Sequence, residues 1–172
     1  IVKLTKDLRQ ASATLGRDEA RFLVDAYYIM QEDRKRSFNQ ERSLDSAKEP
    51  HELLSWFATN AQMLEKQIAN ALDAYSASAP EGQWARRQVG IGPVIAAGLM
   101  AHIDLSVTTT ATKLWRYAGV DPTSKWERGK KRPWNASLKV LVWKIGESFV
   151  KTCNNENSFY GPVYARRKEL ET

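Results

Sequence analysis

The sequence predicts an all-α protein. Three observations carry that reading: no stretch alternates polar and apolar residues with period two, apolar residues recur at three- and four-residue spacing, and helix-starting and helix-stopping residues bracket those segments. The order predicted is long N-terminal helices, as a bundle or a coiled coil, followed by a helix–hairpin–helix module.

The first helix is expected over 4–15, ended by Gly16, since glycine accepts the left-handed conformation at a helix C-terminus. Asp18 offers an N-cap for the second, where Phe22, Ala26, Tyr27 and Met30 fall at helical spacing along a segment reaching about residue 43. The middle of that segment, "QEDRKRSFNQER", alternates charge sign and is expected to face solvent. Pro50 suits the first turn of a third helix. There Leu53, Phe57, Ala61, Leu64, Ile68, Ala71 or Leu72, and Tyr75 trace one stripe over more than three heptads, either a bundle core or the seam of a coiled-coil dimer.

"SASAPEG", residues 76–82, is rich in helix-stopping residues and reads as a linker between a region 1–78, with possible dimerising character, and a region 83–172. Short helices are then expected over 83–89, 93–102 with Pro93 at its first position, 110–118 between Thr110 and Gly119, and 136–152 with Asn135 as N-cap. "NNENS" breaks the chain, and Pro162 opens a last helix.

At 172 residues and 42% hydrophobic content the chain suits one well-packed domain or two helical layers sharing a core. No apolar run is long enough to span a membrane, no secretory leader is recognisable, and the lone Cys153 has no partner for an internal disulfide; together these predict a cytoplasmic protein. Ile1 in place of methionine leaves room for preceding sequence. Charge is unevenly spread. Residues 1–112 carry 13 Lys and Arg against 14 Asp and Glu, while 113–172 carry 13 against 6. Lys113, Arg116, Lys125, Arg128, Lys130, Lys131, Arg132, Lys139 and Lys144 face only Asp121 and Glu127 in their stretch. Such a concentration favours a polyanionic partner.

The motif beside that patch is "QVGIGPVIAAGLMAHID", residues 88–104. A short helix, a Gly-Ile-Gly turn and a helix with small residues on its packing face form the pattern of a helix–hairpin–helix. Glycine at 90 and 92 permits backbone angles that other residues avoid and uncovers amides at a helix start, where a phosphate oxygen is favoured. Ile91 is placed to plug the crevice between the helices, and Ala96, Ala97 and Gly98 to allow their close approach. Gly90, Ile91, Gly92 and Val94 are therefore the candidate contacts at the turn. They would grip sugar-phosphate with little sequence preference. The cations from Lys113 to Lys139 form a second, adjacent surface, in which Trp126 and Trp134 either stack on bases or anchor the loop; Trp84, Trp115 and Trp143 are expected in the core.

The order "GIGPVIAAGLMAHID", "LWRYAGVDP", basic loop, helix and "FYGPVYARRK" resembles the C-terminal domain of the IS110/IS116/IS902 family of insertion-sequence transposases, over about 83–170. The resemblance implies DNA handling and a bacterial or mobile-element origin, with the 53–75 stripe in the place of the family's coiled-coil linker. It also implies an N-terminal RuvC-like domain bearing four acidic residues, whereas 1–50 reads as helical. The family's nucleophilic serine falls on Glu127, which cannot form the same covalent linkage. No catalytic residue, metal ligand or cofactor is assigned: His51 and His102 are far apart and read as surface or packing residues. Two alternatives stand beside DNA binding, an active strand-transfer enzyme and an oligomeric assembly protein with an acidic partner. A glycosylase is disfavoured, because Asp104 follows Gly92 by only 12 residues and the turn has no lysine.

Overall fold

The computed structural model describes residues 3–46 and 52–172, and the described residues are helical without a strand. Pro50 and His51 lie outside them. The helices are α1 (Lys6–Ala11), α2 (Arg17–Ser46), α3 (Glu52–Ala77), α4 (Pro80–Arg86), α5 (Pro93–His102), α6 (Ala111–Ala118), α7 (Ala136–Lys151) and α8 (Gly161–Glu171). None is long and apolar enough to cross a membrane.

Helix starts follow local chemistry, with two shifts from expectation. The segment 4–15 divides into α1, capped by Thr5 on the Leu8 amide, and a 3-10 turn Ser12–Thr14. Gly16 then begins α2: its carbonyl accepts from the Ala20 amide at 3.0 Å, and its own N–H donates to the Glu19 carboxylate at 2.7 Å. Asp18 sits one residue inside the helix, where its charge favours the positive end of the dipole. Similarly, the fourth helix starts at Pro80, three residues before the 83–89 expected, because a proline that stops one helix also suits the first turn of the next.

α2 and α3 form an antiparallel hairpin, with Ala20 and Val24 near Leu72 and Tyr75 at one end and Arg34 paired to Glu65 further along. The stripe read on α3 is only half buried. Ala58, Ala61, Glu65, Leu72 and Tyr75 face inward, whereas Leu53 and Phe57 are at least half exposed, Leu64 is exposed, and Trp56 lies outside with them. The cause is the opposing surface. The distal half of α2 is charged, so α3 turns its alanines and Glu65 to it and leaves the larger apolar side chains outside. Within the "QEDRKRSFNQER" stretch, Arg34 is correspondingly drawn half inside by Glu65 instead of facing solvent.

The bland helix α5 occupies the centre. Ala97 and Ala101 share a cluster with Ala20, Val24, Leu72 and Tyr75, so the segments 1–78 and 83–172 meet in one core. On its other side α5 meets α7, where a Cβ on Gly98 would come within 2.8 Å of Leu141. α4 approaches so closely that a Cβ on Gly82 would strike the Ser76 carbonyl and the Met100 sulfur. Small residues on α5 thus serve α2, α3 and α7 together, and Gly82 lets α4 approach as well, beyond the single hairpin partner expected.

Candidate nucleic-acid interface

The chain between α4 and α5 makes a tight turn. Gly90 has φ +99°, a conformation glycine adopts without strain, and its carbonyl accepts a hydrogen bond from Ser148 Oγ of α7 at 2.6 Å. A side chain there would also meet the Phe149 ring at 2.9 Å. Gly92 differs. It is exposed, its φ of −85° and ψ of 176° are open to any residue, and a Cβ would have nothing within 4 Å. Only one of the two glycines is therefore required by backbone geometry.

The amides divide in the same way. Ile91 N–H donates to the Gln88 carbonyl at 3.0 Å, so it is already engaged within the turn. At the start of α5, Gly92 supplies no capping side chain and Pro93 no N–H. The first-turn amides of Val94 and Ile95 lie beyond the reach of intrahelical bonding and follow directly on the exposed Gly92. The Val94 side chain packs on the central core cluster; its contribution to a contact is the backbone amide.

The basic loop spans 119–135 and is pinned at both ends. Gly119 closes α6 at φ +69°, and the Trp134 ring lies so close that a Cβ on Gly119 would be 2.6 Å from it. Asn135 N–H donates to the Tyr117 carbonyl at 2.8 Å, and Asn135 Oδ1 accepts from the Leu138 amide at 2.9 Å to cap α7. Trp126 packs edge-on against Trp134 at 6.4 Å, and its Nε1–H donates to the Lys130 carbonyl at 2.7 Å. The two rings anchor the loop. Trp84, Trp115 and Trp143, expected in the core, are each more than half exposed: α4 and α6 bury Gly82, Ala85 and Ala118 instead, and α7 buries Leu138 and Leu141.

The loop cations are not equivalent. Arg116 Nε pairs with Asp121 at 3.0 Å, and Lys130 with Glu127 at 2.7 Å. Two hydrogen bonds from Thr123, with Arg116 adding to them, hold the Asp121 carboxyl below its ordinary pKa. Arg132 lies over the Trp126 ring at 5.5 Å and Lys139 over Trp134 at 4.6 Å. Lys113 Nζ donates to Thr109 Oγ1 at 3.2 Å. Lys125, Arg128 and Lys131 are exposed and make no ion pair with a described carboxylate. Tyr117, Lys131, Arg132, Pro133, Trp134 and Asn135 line a shallow, open basin.

Turn and loop are neighbours in sequence but not in space. α5 and α7 run antiparallel: the Gly90 turn meets Ser148 near the end of α7, and His102 at the end of α5 meets Asn135 at its start. At 1.5 Å per residue the two surfaces stand about 15–20 Å apart. One cation near the turn escaped the sequence reading. Arg86 is bound to Asp73 at 2.6 Å, while Arg87 is exposed and projects just ahead of the turn; the "RR" pair before "QVGIG" was the available signal.

No family model, curated protein or solved structure matches the chain.

Proposed function

We propose that the protein binds the sugar-phosphate backbone of nucleic acid, DNA in the first instance, without sequence preference and without catalysing its cleavage. The observation that carries this reading is the open first turn of α5 at Gly92, set about 15–20 Å from three unpaired loop cations. That gap corresponds to roughly five or six base pairs of duplex, whose backbone offers one charge per about 1.7 Å of axis. The likeness of 83–170 to IS110/IS116/IS902 transposases supports the same ligand, and Glu127 in the nucleophile's place supports binding over strand transfer.

The test is a salt titration of affinity for duplex, single-stranded and branched DNA and for RNA, with a nicking assay in divalent metal alongside. Gly92→Ile is the informative variant, since its backbone tolerates a side chain that would cover the amides. Equal weakening on every sequence is the expected result. Loss on one sequence only, or failure of heparin and every nucleic acid to bind, overturns the proposal, and nicking would restore the enzymatic alternative.

A second reading, a homo-oligomer, is favoured by a separate observation. Trp56, Phe57 and Leu64 are exposed along one side of α3. An apolar row of this kind is more economically explained by a partner surface than by solvent.

A further inference from the structure

Asn135 joins three helices through a single amide group. Its Oδ1 accepts from the Leu138 N–H, which fixes the amide orientation because an NH2 group has no acceptor to offer. Nδ2 must then be the atom that points to the Tyr117 hydroxyl at 3.1 Å and to His102 Nδ1 at 3.3 Å. It follows that His102 Nδ1 accepts, and that the imidazole is neutral with its proton on Nε2. An imidazolium carries a proton on both nitrogens. Its Nδ1–H would face the Asn135 NH2 group, donor against donor, a conflict that rotation of the amide relieves by removing the cap from α7.

We infer that His102 and Asn135 form a proton-sensitive joint: protonation of His102 uncaps α7, loosens the basic loop and weakens polyanion binding. This rests on the nucleic-acid reading for its consequence, though not for the joint itself.

The surroundings oppose protonation on balance. His102 is 6% exposed at the end of α5. From α2 come Arg21, whose Nε donates to the Ala101 carbonyl at 2.9 Å, together with Asp25 and Tyr28; from α7 come Ser137 and Lys144. Lys144 sits over the Tyr28 ring at 4.1 Å. α3 contributes the Tyr75 ring to the α5 core, α4 meets α5 through Gly82, and the Arg17–Asp104 pair lies just past the helix end. Burial lowers the His102 pKa, Arg21 lowers it further, and Asp25 raises it. A histidine lowered in this way stabilises the fold above its ordinary value near 6.5, and that stability is lost as pH falls from there through the depressed value.

The consequence runs against the usual trend, in which acid adds positive charge and tightens binding to DNA. Duplex affinity should fall by about threefold or more as pH is lowered from 7.5 past histidine's ordinary value near 6.5 and on through the depressed value of His102. Over the same pH range the protection of the Leu138 amide, its exchange rate relative to unstructured peptide at the same pH, should fall by about tenfold as the cap is released. His102→Gln keeps an acceptor for Asn135 but does not titrate, and it leaves His51 in place as an internal control; both effects should vanish. Asn135→Asp accepts from Leu138 N–H and from imidazolium alike, so its joint should tighten in acid. Leu138 protection that ignores pH in the wild type, or an acid response retained in His102→Gln, overturns the joint. A pH-dependent Leu138 protection in a protein that binds no polyanion leaves the joint standing and rejects the binding function instead.

Discussion

Ser148 Oγ donates to the Gly90 carbonyl at 2.6 Å, so the turn that presents the α5 amides is held from outside by α7. Ser148→Ala deletes that bond while leaving Gly90 able to keep its left-handed conformation. A half-buried hydrogen bond of this kind contributes about 1 kcal/mol. Nucleic-acid affinity is expected to drop about fivefold with the thermal midpoint moving by only a few degrees. Unchanged affinity at every salt concentration would remove the Gly90 turn from the interface.

The loop cations predict a graded salt response. Replacing Lys125, Arg128 and Lys131 one at a time with Ala should each lower the slope of log K against log salt by about one. Arg116→Ala and Lys130→Ala should lower it less, because Asp121 and Glu127 already neutralise those groups. A slope indifferent to all five changes would place the ligand elsewhere.

Glu65 is largely buried and pairs with Arg34 across the α2–α3 hairpin. Glu65→Ala leaves a half-buried guanidinium without its carboxylate, at a cost of about 2 kcal/mol once the partial exposure of Arg34 is allowed for. Denaturant unfolding should show a lower midpoint with the slope unchanged. Pairing Glu65→Leu with Arg34→Leu should recover most of that loss, since neither charge is then stranded.

Gly119 and Gly129 offer an internal comparison. Both have positive φ, but a Cβ would lie 2.6 Å from Trp134 at Gly119 and meet nothing at Gly129. Gly119→Ala should destabilise by about 2 kcal/mol, combining backbone strain with displacement of the indole, and Gly129→Ala by about 1 kcal/mol. Equal losses in urea unfolding would show that Trp134 does not anchor the loop.

The exposed row on α3 makes a prediction about assembly. If Trp56, Phe57 and Leu64 meet a second copy, Trp56→Glu with Leu64→Glu should convert an oligomer into a folded monomer by light scattering. A wild type that is monomeric at micromolar concentration would exclude this use of the surface.

The local punctuation of the fold was legible in the sequence. Thr110, Gly119 and Asn135 act as the caps their chemistry suggested, and Pro93 opens α5, because each signal is read within four residues of where it acts. What a face packs against was not legible. The α3 stripe depends on the charge of an opposing helix that lies some 30 residues away in sequence, as the Arg34–Glu65 pair shows. The same limit explains the site. Glycine at 92 looked equivalent to glycine at 90, yet only Phe149 and Ser148, nearly 60 residues further on, distinguish a constrained position from an open one. Arg116 looked free because Asp121 was counted as charge and not as a partner.

α5 is the innermost helix along most of its length, and its first turn lies at the surface. Whatever seizes that end takes hold of the scaffold itself, with no flexible arm or lid between grip and core. Occupancy should therefore be felt as stiffening of the entire chain, and a strand pulled away from the turn would draw on the cohesion of four helices at once.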